Sequence, residues 1–223
     1  MEAPNEHLAK VLPTQLAQGI DKLGLEISAN KQELLLNYLY LLIKWNKAFN
    51  LSGIKDPEQM LRLHVLDSLS VLPFIIDAQV ILDVGTGAGL PGFLLAICCP
   101  EKKFILLDSN GKKTRFMFQT AAALGLSNIQ VVNGRAEDFQ SAEQIDIVLS
   151  RAFTSLKQFV SWTQHLLQDT SKLLAMKGLY PEDEVAELPE TFRVSNSHIL
   201  QVPGEAGERH LLEIKQNIDC VTG

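Results

Sequence analysis

Apolar positions follow two different rhythms along this 223-residue chain. Up to about residue 78 they recur at helical spacing, with Leu34, Leu35, Tyr38, Leu41, Leu42 and Trp45 on one face of a 3.6-residue repeat. Asn30 followed by Glu33 resembles a capping box, and Asp56-Pro57 pairs an N-cap residue with proline at the first helical position. A further helix is expected through Leu61, Val65 and Leu69 to about Leu72, with Pro73 beginning the exit. From Gln79 short apolar runs alternate with helical patterns. Strands are expected at 80–84, 104–108, 129–133, 145–149 and 172–176. Helices are expected over 93–98, 112–124 and 156–167, the second closed by Gly125 at C′. Two last strands, 197–202 and 210–215, read as a hairpin joined by a Gly-containing loop. Uninterrupted apolar strands bracketed by helices imply a parallel sheet buried on both faces. The chain thus divides into a helical N-terminal extension (1–78), an α/β core (79–217) and a short tail (218–223).

Composition narrows the class. At 46% hydrophobic and 21% charged residues the chain has the material for a sizeable core. The start, Met1 to Glu6, is polar and acidic, unlike a signal peptide, and the longest apolar run, Leu34 to Ile43, holds Asn37 and is too short for a bilayer. Three cysteines, Cys98, Cys99 and Cys220, show no metal spacing. A reduced, cytoplasmic protein without membrane or metal is the expectation. The net charge of −6 argues against a generally basic surface, but residues 102–177 hold ten Lys/Arg against six Asp/Glu. Contact with RNA therefore requires a local patch.

The chemistry concentrates in Asp83-Val84-Gly85-Thr86-Gly87-Ala88-Gly89-Leu90-Pro91-Gly92. A glycine-rich turn after a strand is where an open α/β sheet binds a nucleotide-like cofactor. The dinucleotide pattern G-x-G-x-x-G needs glycine at 90, where Leu90 stands. The acid two residues before Gly85 suits a cationic ligand better than a pyrophosphate. S-adenosylmethionine, with its sulfonium and amino group, fits better than NAD. Asp108, at the end of the second strand, is placed to accept from both hydroxyls of a ribose, a role that serves either cofactor. Ala136 and Glu137 follow the third strand, where adenine lies in this fold class; capping is the alternative for Glu137.

Ser150-Arg151-Ala152-Phe153 follows the fourth strand, on the edge where a methyl acceptor lies. The Asn/Asp-Pro-Pro-aromatic motif of many amino-group methyltransferases is missing. A thiol nucleophile is not expected, since Cys98 and Cys99 fall at the far end of a helix. Arg151 remains as a cation at the reaction edge, with an ion pair to Asp146 or Glu137 as the alternative reading. Lys112, Lys113, Arg135 and Lys177 are the candidate RNA contacts.

Several segments together resemble the RsmG family, also called GidB, of bacterial small-subunit ribosomal RNA guanine-N7 methyltransferases. They are Trp45-Asn46-Lys47-Ala48-Phe49-Asn50-Leu51-Ser52, His64-Val65-Leu66-Asp67-Ser68-Leu69, Asp83 to Gly92, Leu107-Asp108-Ser109 and Lys112-Lys113. Ser150 to Phe153, Ala175-Met176-Lys177-Gly178 and Gly207-Glu208-Arg209-His210-Leu211 complete the set. Ser52 and Lys113 depart from the commoner Thr and Arg. The resemblance implies a class I S-adenosylmethionine-dependent methyltransferase, Rossmann-like with a mostly parallel seven-stranded sheet, behind a helical extension. It implies methylation of guanine N7 in a 16S rRNA loop near the decoding region; naked 16S rRNA, the small ribosomal subunit and an assembly intermediate stay open as the form of the substrate. Its cofactor contacts map onto Gly85, Leu90, Ala136, Glu137 and Arg151; the glycine turn adds Asp83, Gly87 and Gly89, and the strand end adds Asp108. Guanine N7 has a free lone pair and loses no proton, so no general base is required and Arg151 is expected to act by positioning. A non-catalytic cofactor- or ribosome-binding module of the same fold and an NAD-dependent oxidoreductase are the other classes; Leu90 argues against the second.

Overall fold

The computed structural model describes residues 6–151 and 154–217. Two long helices open the chain, α1 (Glu6–Lys22) and α2 (Ala29–Phe49). The N-cap of α2 is Ser28, whose hydroxyl accepts from Lys31 N. Asn30 and Glu33 lie inside the helix, so the expected capping box begins two residues too late. Asp56 caps α3 (Pro57–Met60) as its sequence indicates, accepting from Gln59 N at 2.8 Å. The helix then widens into a π-helical stretch, Leu61–Leu66, before α4 (Asp67–Leu69).

A seven-stranded sheet follows, in the order β3-β2-β1-β4-β5-β7-β6. The strands are β1 (Val80–Val84), β2 (Lys103–Asp108), β3 (Ile129–Asn133), β4 (Ile147–Arg151), β5 (Lys172–Lys177), β6 (Phe192–Ile199) and β7 (His210–Gln216). β1 to β5 run parallel, and β7 inserts antiparallel between β5 and β6. Helices α5 (Gly92–Cys98), α6 (Gly111–Leu124), α7 (Leu156–Thr163) and α8 (Glu182–Ala186) complete the core. The strand order reverses between β1 and β4, and ligands bind at such a switch point beyond the carboxyl ends of the strands. Among the described residues no helix is long and apolar enough to cross a membrane.

Three boundaries differ from expectation. β4 lies two residues later than expected and ends on Arg151, because pairing with β5 continues through Ser150 opposite Ala175 and Arg151 opposite Met176. Asp146 instead secures the start of β1, its carboxylate accepting from Gln79 N and Val80 N. Ser150 and Arg151 therefore belong to the strand, while Ala152 and Phe153 lie outside the described residues. β6 starts at Phe192, not 197; Leu200 and Val202 are buried in the loop after it. The acidic segment near residue 182 forms α8, an element not anticipated. The tail and Cys220 also lie outside the described residues.

Strand parity decides what each face meets. Ile81, Ile147, Leu149, Leu174 and Met176 point toward one side and join Leu12, Leu35, Tyr38 and Leu66 of the extension in a single core. Leu82, Val84, Val148, Leu173 and Ala175 face the other way, with Phe159 and Val160 of α7. Arg151, two residues beyond Leu149, is thus directed toward the extension.

The glycine turn is held from beneath. Asp83 is fully buried, and its Oδ2 accepts from Thr86 Oγ1 at 2.6 Å and Gly92 N at 2.7 Å. A Cβ at Gly92 would come within 2.8 Å of that oxygen, and Gly89, at φ +93°, would put one 2.8 Å from Phe93 Cβ. Burial pushes the Asp83 carboxyl up to about 7, against the two hydrogen bonds and the Arg151 charge, which lower it. The folded state therefore keeps a proton that the unfolded chain releases near the ordinary carboxylate value. That contribution to stability is complete below the unfolded pKa and is lost as pH rises through the folded one, at up to about 1.4 kcal/mol per pH unit. Asp83→Asn keeps an acceptor for Thr86 and Gly92 and cannot ionise. Its Tm relative to the parent is expected to rise between pH 5 and 8; a difference that stays flat over this range contradicts the assignment.

Candidate active site

Two adjoining cavities open at the carboxyl edge of the parallel strands and share Gly85 and Lys113. The smaller, about 480 Å³, lies between the ends of β2 and β3 and is lined by Asp108, Gly134, Arg135, Ala136 and Glu137. The larger, about 550 Å³, runs from the glycine turn across Arg151 to the extension and β7, with Ser52, His64, Asp67 and Arg209 in its wall.

The first chamber has the features of a nucleoside site. Asp108 ends β2, its Oδ2 accepting from Gly87 N and its Oδ1 from Asn110 N, both at 2.8 Å. The carboxylate so fixes the glycine turn and keeps lone pairs at the chamber edge. Ala136 is buried and leaves room beside it for a flat ring. Glu137 is approached by Arg135 at 3.4 Å. Gly85 and Gly87 carry φ of +65° and +64°, a backbone open to glycine that points the turn's main chain into the cleft. Gly85, Gly87 and Leu90 line the second chamber. Asp83 and Gly89 border neither: Asp83 was expected to face a cationic cofactor, but its whole side chain lies under the turn and supports it. The acids that line the smaller chamber are Asp108 and Glu137.

Arg151 is paired with neither Asp146 nor Glu137. Its Nη1 donates to Asp67 Oδ2 and to Leu63 O, both at 2.9 Å. The π-helical stretch makes this possible: the Asp67 amide bonds to the carbonyls of Arg62 and His64, skipping Leu63, whose carbonyl meets the arginine. Asp67, 3% exposed, also lies 3.3 Å from Arg209 Nε through its other oxygen. One carboxylate from the extension thereby bridges cations from β4 and from the loop before β7.

His64 stands beside this bridge. Its Nε2 is 2.7 Å from Ser52 Oγ and its Nδ1 is 3.1 Å from Leu63 O and 3.5 Å from Arg151 Nη2. Burial, and then the Arg151 charge, pull the imidazole down to about 4, so it is neutral at physiological pH. With Nδ1–H turned to Leu63 O, Nε2 accepts from the Ser52 hydroxyl, which in turn accepts from Ile54 N at 3.1 Å. Asn46 braces the same loop, accepting from Ser52 N at 2.7 Å and donating to Ile54 O at 3.0 Å. Tyr38 Oη donates to Ala88 O at 2.7 Å, fastening the glycine turn to α2. Nothing in the residues alone assigns a role to Tyr38, His64, Asp67 or Arg209. Asn46, His64, Asp67 and Arg209 all fall in segments that carry the family resemblance, which is the signal that sequence offers for them.

The four candidate RNA cations differ in freedom. Lys112 is exposed on the first turn of α6, and Lys113 reaches between the chambers, 4.0 Å from Asp108 Oδ2. Arg135 is 72% exposed at its side chain. Lys177 is held by Glu184 at 2.7 Å and by Thr154 O at 2.9 Å, which makes it part of the wall. Burial pushes the Cys98 thiol up to about 12 and raises Cys99, so neither supplies a thiolate at neutral pH. Among the described residues no group of three or more His, Cys, Asp or Glu is placed to hold a metal ion.

The chain is similar to known proteins over most of its length. The family model described as rRNA small subunit methyltransferase G matches residues 31–212. A protein named Ribosomal RNA small subunit methyltransferase G from Pseudomonas aeruginosa (strain LESB58) is 50% identical over 216 residues, which cover 97% of this chain and 99% of that protein. Its namesake from Stutzerimonas stutzeri (strain A1501) is 51% identical over 203 residues, 91% of this chain and 94% of the other. Among solved structures, a SAM dependent methyltransferase from Aquifex aeolicus has a TM-score of 0.57 at 18% identity, over 74% of this chain and 96% of its own; at that identity the likeness is one of fold. The motif segments that build the Asp67 bridge and the glycine turn fall within the matched region, and the chain belongs to the GidB family of rRNA small subunit methyltransferases G.

Proposed function

We propose that this chain transfers a methyl group from S-adenosylmethionine to N7 of a guanine in a 16S rRNA loop near the decoding region. The observation that carries the reading is the pair of joined chambers: one is suited to a nucleoside, and the other is walled by a fixed arginine and by the extension. The family names support rRNA of the small subunit as the substrate class. Naked 16S rRNA, the small ribosomal subunit and an assembly intermediate are the forms in which the loop can be offered.

The residues fit the cofactor. Asp108 would receive the ribose hydroxyls, Ala136 and Glu137 the adenine, and Gly85, Gly87 and Leu90 the amino-acid end. S-adenosylmethionine supplies an electrophilic methyl on a sulfonium. The protein's part is then placement. N7 attacks with its own lone pair, so no side chain has to remove a proton, and the site offers none suited to do so: His64 is buried against Arg151 and bonded at both ring nitrogens. Two N–H bonds of Arg151 are spent on Leu63 and Asp67, which fixes its guanidinium and leaves the other edge for contact in the larger chamber. An arginine held this way supplies charge at a set position and does not have to donate to N7 itself. Lys112, Lys113 and Arg135 are the phosphate contacts in this reading, with Lys177 left to shape the wall.

Methyl mapping tests the proposal. Small-subunit rRNA from cells lacking the protein, incubated with the protein and S-adenosylmethionine, is expected to gain one N7-methylguanine detectable by mass spectrometry. Cofactor binding without any methyl incorporation would leave a binding module instead. Asp108→Ala is expected to weaken cofactor binding by about 1.5–3 kcal/mol, the scale of hydrogen bonds to a charged group. Calorimetry giving an unchanged Kd would remove Asp108 from the ribose role.

A further inference from the structure

The motif segment Trp45 to Ser52 is only partly explained by the site. Asn46 braces the loop, and Leu51 and Ser52 line the larger chamber. Phe49, the last residue of α2, does neither. It is 45% exposed, an unusual position for a large apolar side chain beside a cleft.

Its placement is set by aromatic contacts. The Phe49 ring lies on Trp45 with centroids 5.1 Å apart, and Trp45 meets Phe116 of α6 edge-on at 5.6 Å. Asn50 then turns the chain in the left-handed region, φ 50°, with its N–H bonded to Asn46 O. The turn carries the backbone directly from Phe49 to the chamber wall at Leu51 and Ser52, which Lys113 of α6 lines as well. The exposed Phe49 ring thus stands two residues before the chamber wall, at the end of an aromatic stack that joins α2 to α6.

The surrounding charge is one-sided. In a chain of net charge −6, residues 34–55 contain three lysines and no acid, and residues 109–136 contain Lys112, Lys113, Arg115 and Arg135 and no acid. These stretches include most of α2 and all of α6, which pack on each other. The solvent face of α6 bears Lys112 and Arg115, and Phe118 is exposed on the same helix. Cations that take phosphates beside an aromatic ring that takes a base are the paired elements of single-strand recognition.

We infer that Phe49 is a stacking platform for an unpaired nucleotide next to the target guanine, while Lys112, Lys113 and Arg115 hold the adjoining phosphates. This rests on the rRNA-methyltransferase reading above and assigns part of its substrate surface. A guanine delivered into the larger chamber must leave its stack, and a neighbouring base that stacks on Phe49 gives the strand a new stacking partner in its place. Stacking needs a flat π face, so size and hydrophobicity alone do not suffice.

The test compares Phe49→Leu, Phe49→Ala and Phe49→Trp in steady-state methylation of a protein-free rRNA fragment containing the target loop. Leu and Ala are expected to raise KM for RNA about tenfold or more with kcat and cofactor affinity near parental, and Trp to restore KM. Because the ring touches Trp45 at the surface, Tm should move little in all three. The slope of log affinity against log salt should stay parental in the Phe49 variants and flatten by about 0.7–0.9 for each phosphate no longer neutralised in Lys112→Ala/Lys113→Ala. A parental KM for Phe49→Leu overturns the platform. So does an effect seen with assembled subunits but not with the fragment, which would assign the ring to a ribosomal protein. If the parent protein methylates no rRNA, the functional reading fails; if it does and Phe49→Leu is parental, only the platform fails.

Discussion

A buried carboxylate on the helical extension organises the carboxyl edge of this sheet. Asp67 reaches Arg151 at the end of β4 and Arg209 before β7, at 2.9 and 3.3 Å. Two guanidinium groups converging on a partly enclosed space would repel each other without it. Once desolvated, the carboxylate would be costly without them, and breaking a buried pair by removing one member costs about 3–5 kcal/mol. The bridge therefore does more than join two segments. It fixes where positive charge stands in the larger chamber, and it makes the extension part of the site.

The glycine turn depends on the same packing from the other side. Asp83 pulls Thr86 and Gly92 inward, Asp108 takes the Gly87 amide, and Tyr38 takes the Ala88 carbonyl from above. Backbone held on three sides is preorganised for a ligand, so little ordering is left to be done on binding. Tyr38 lies in the core cluster that runs from α1 through α2 to the sheet. Hydrophobic burial of the extension thus fixes the turn and the arginine together. Both stand at one edge of the sheet because β1 and β4 are neighbours at the switch point.

Much of this architecture can be read in the sequence. The apolar runs of β1, β2 and β5 and the glycine turn announce themselves locally, since a doubly buried strand needs continuous apolar residues and a tight turn needs glycine. The end of β4 does not, because it is set by pairing with β5, and Arg151 in isolation looks like the loop that follows a strand. Nor is the capping of α2 by Ser28 favoured over Asn30 by any local signal. Asp83 shows the opposite error: an acid before a glycine turn suggests ligand contact, yet its burial depends on Leu106 and α5 packing over it. The Asp67 partnership joins residues 84 positions apart and rests on a π-helical register that no residue type dictates. What sequence did mark, through the family resemblance, were the segments Trp45–Ser52 and His64–Leu69, which carry Asn46, His64 and Asp67.

The central claim is that Asp67 and Arg151 act as one unit in placing the reactants. A double-mutant cycle on single-turnover methyl transfer, with saturating RNA and S-adenosylmethionine, measures this directly. Asp67→Asn, Arg151→Lys and the double variant are each compared with the parent, with folding checked by Tm. Each single change should slow transfer by on the order of 100-fold, as expected for small misplacement of reacting groups. The double variant should be about as slow as the slower single one, because the second change removes nothing that remains. Losses that multiply in the double variant, or parental rates in Asp67→Asn, would contradict the account.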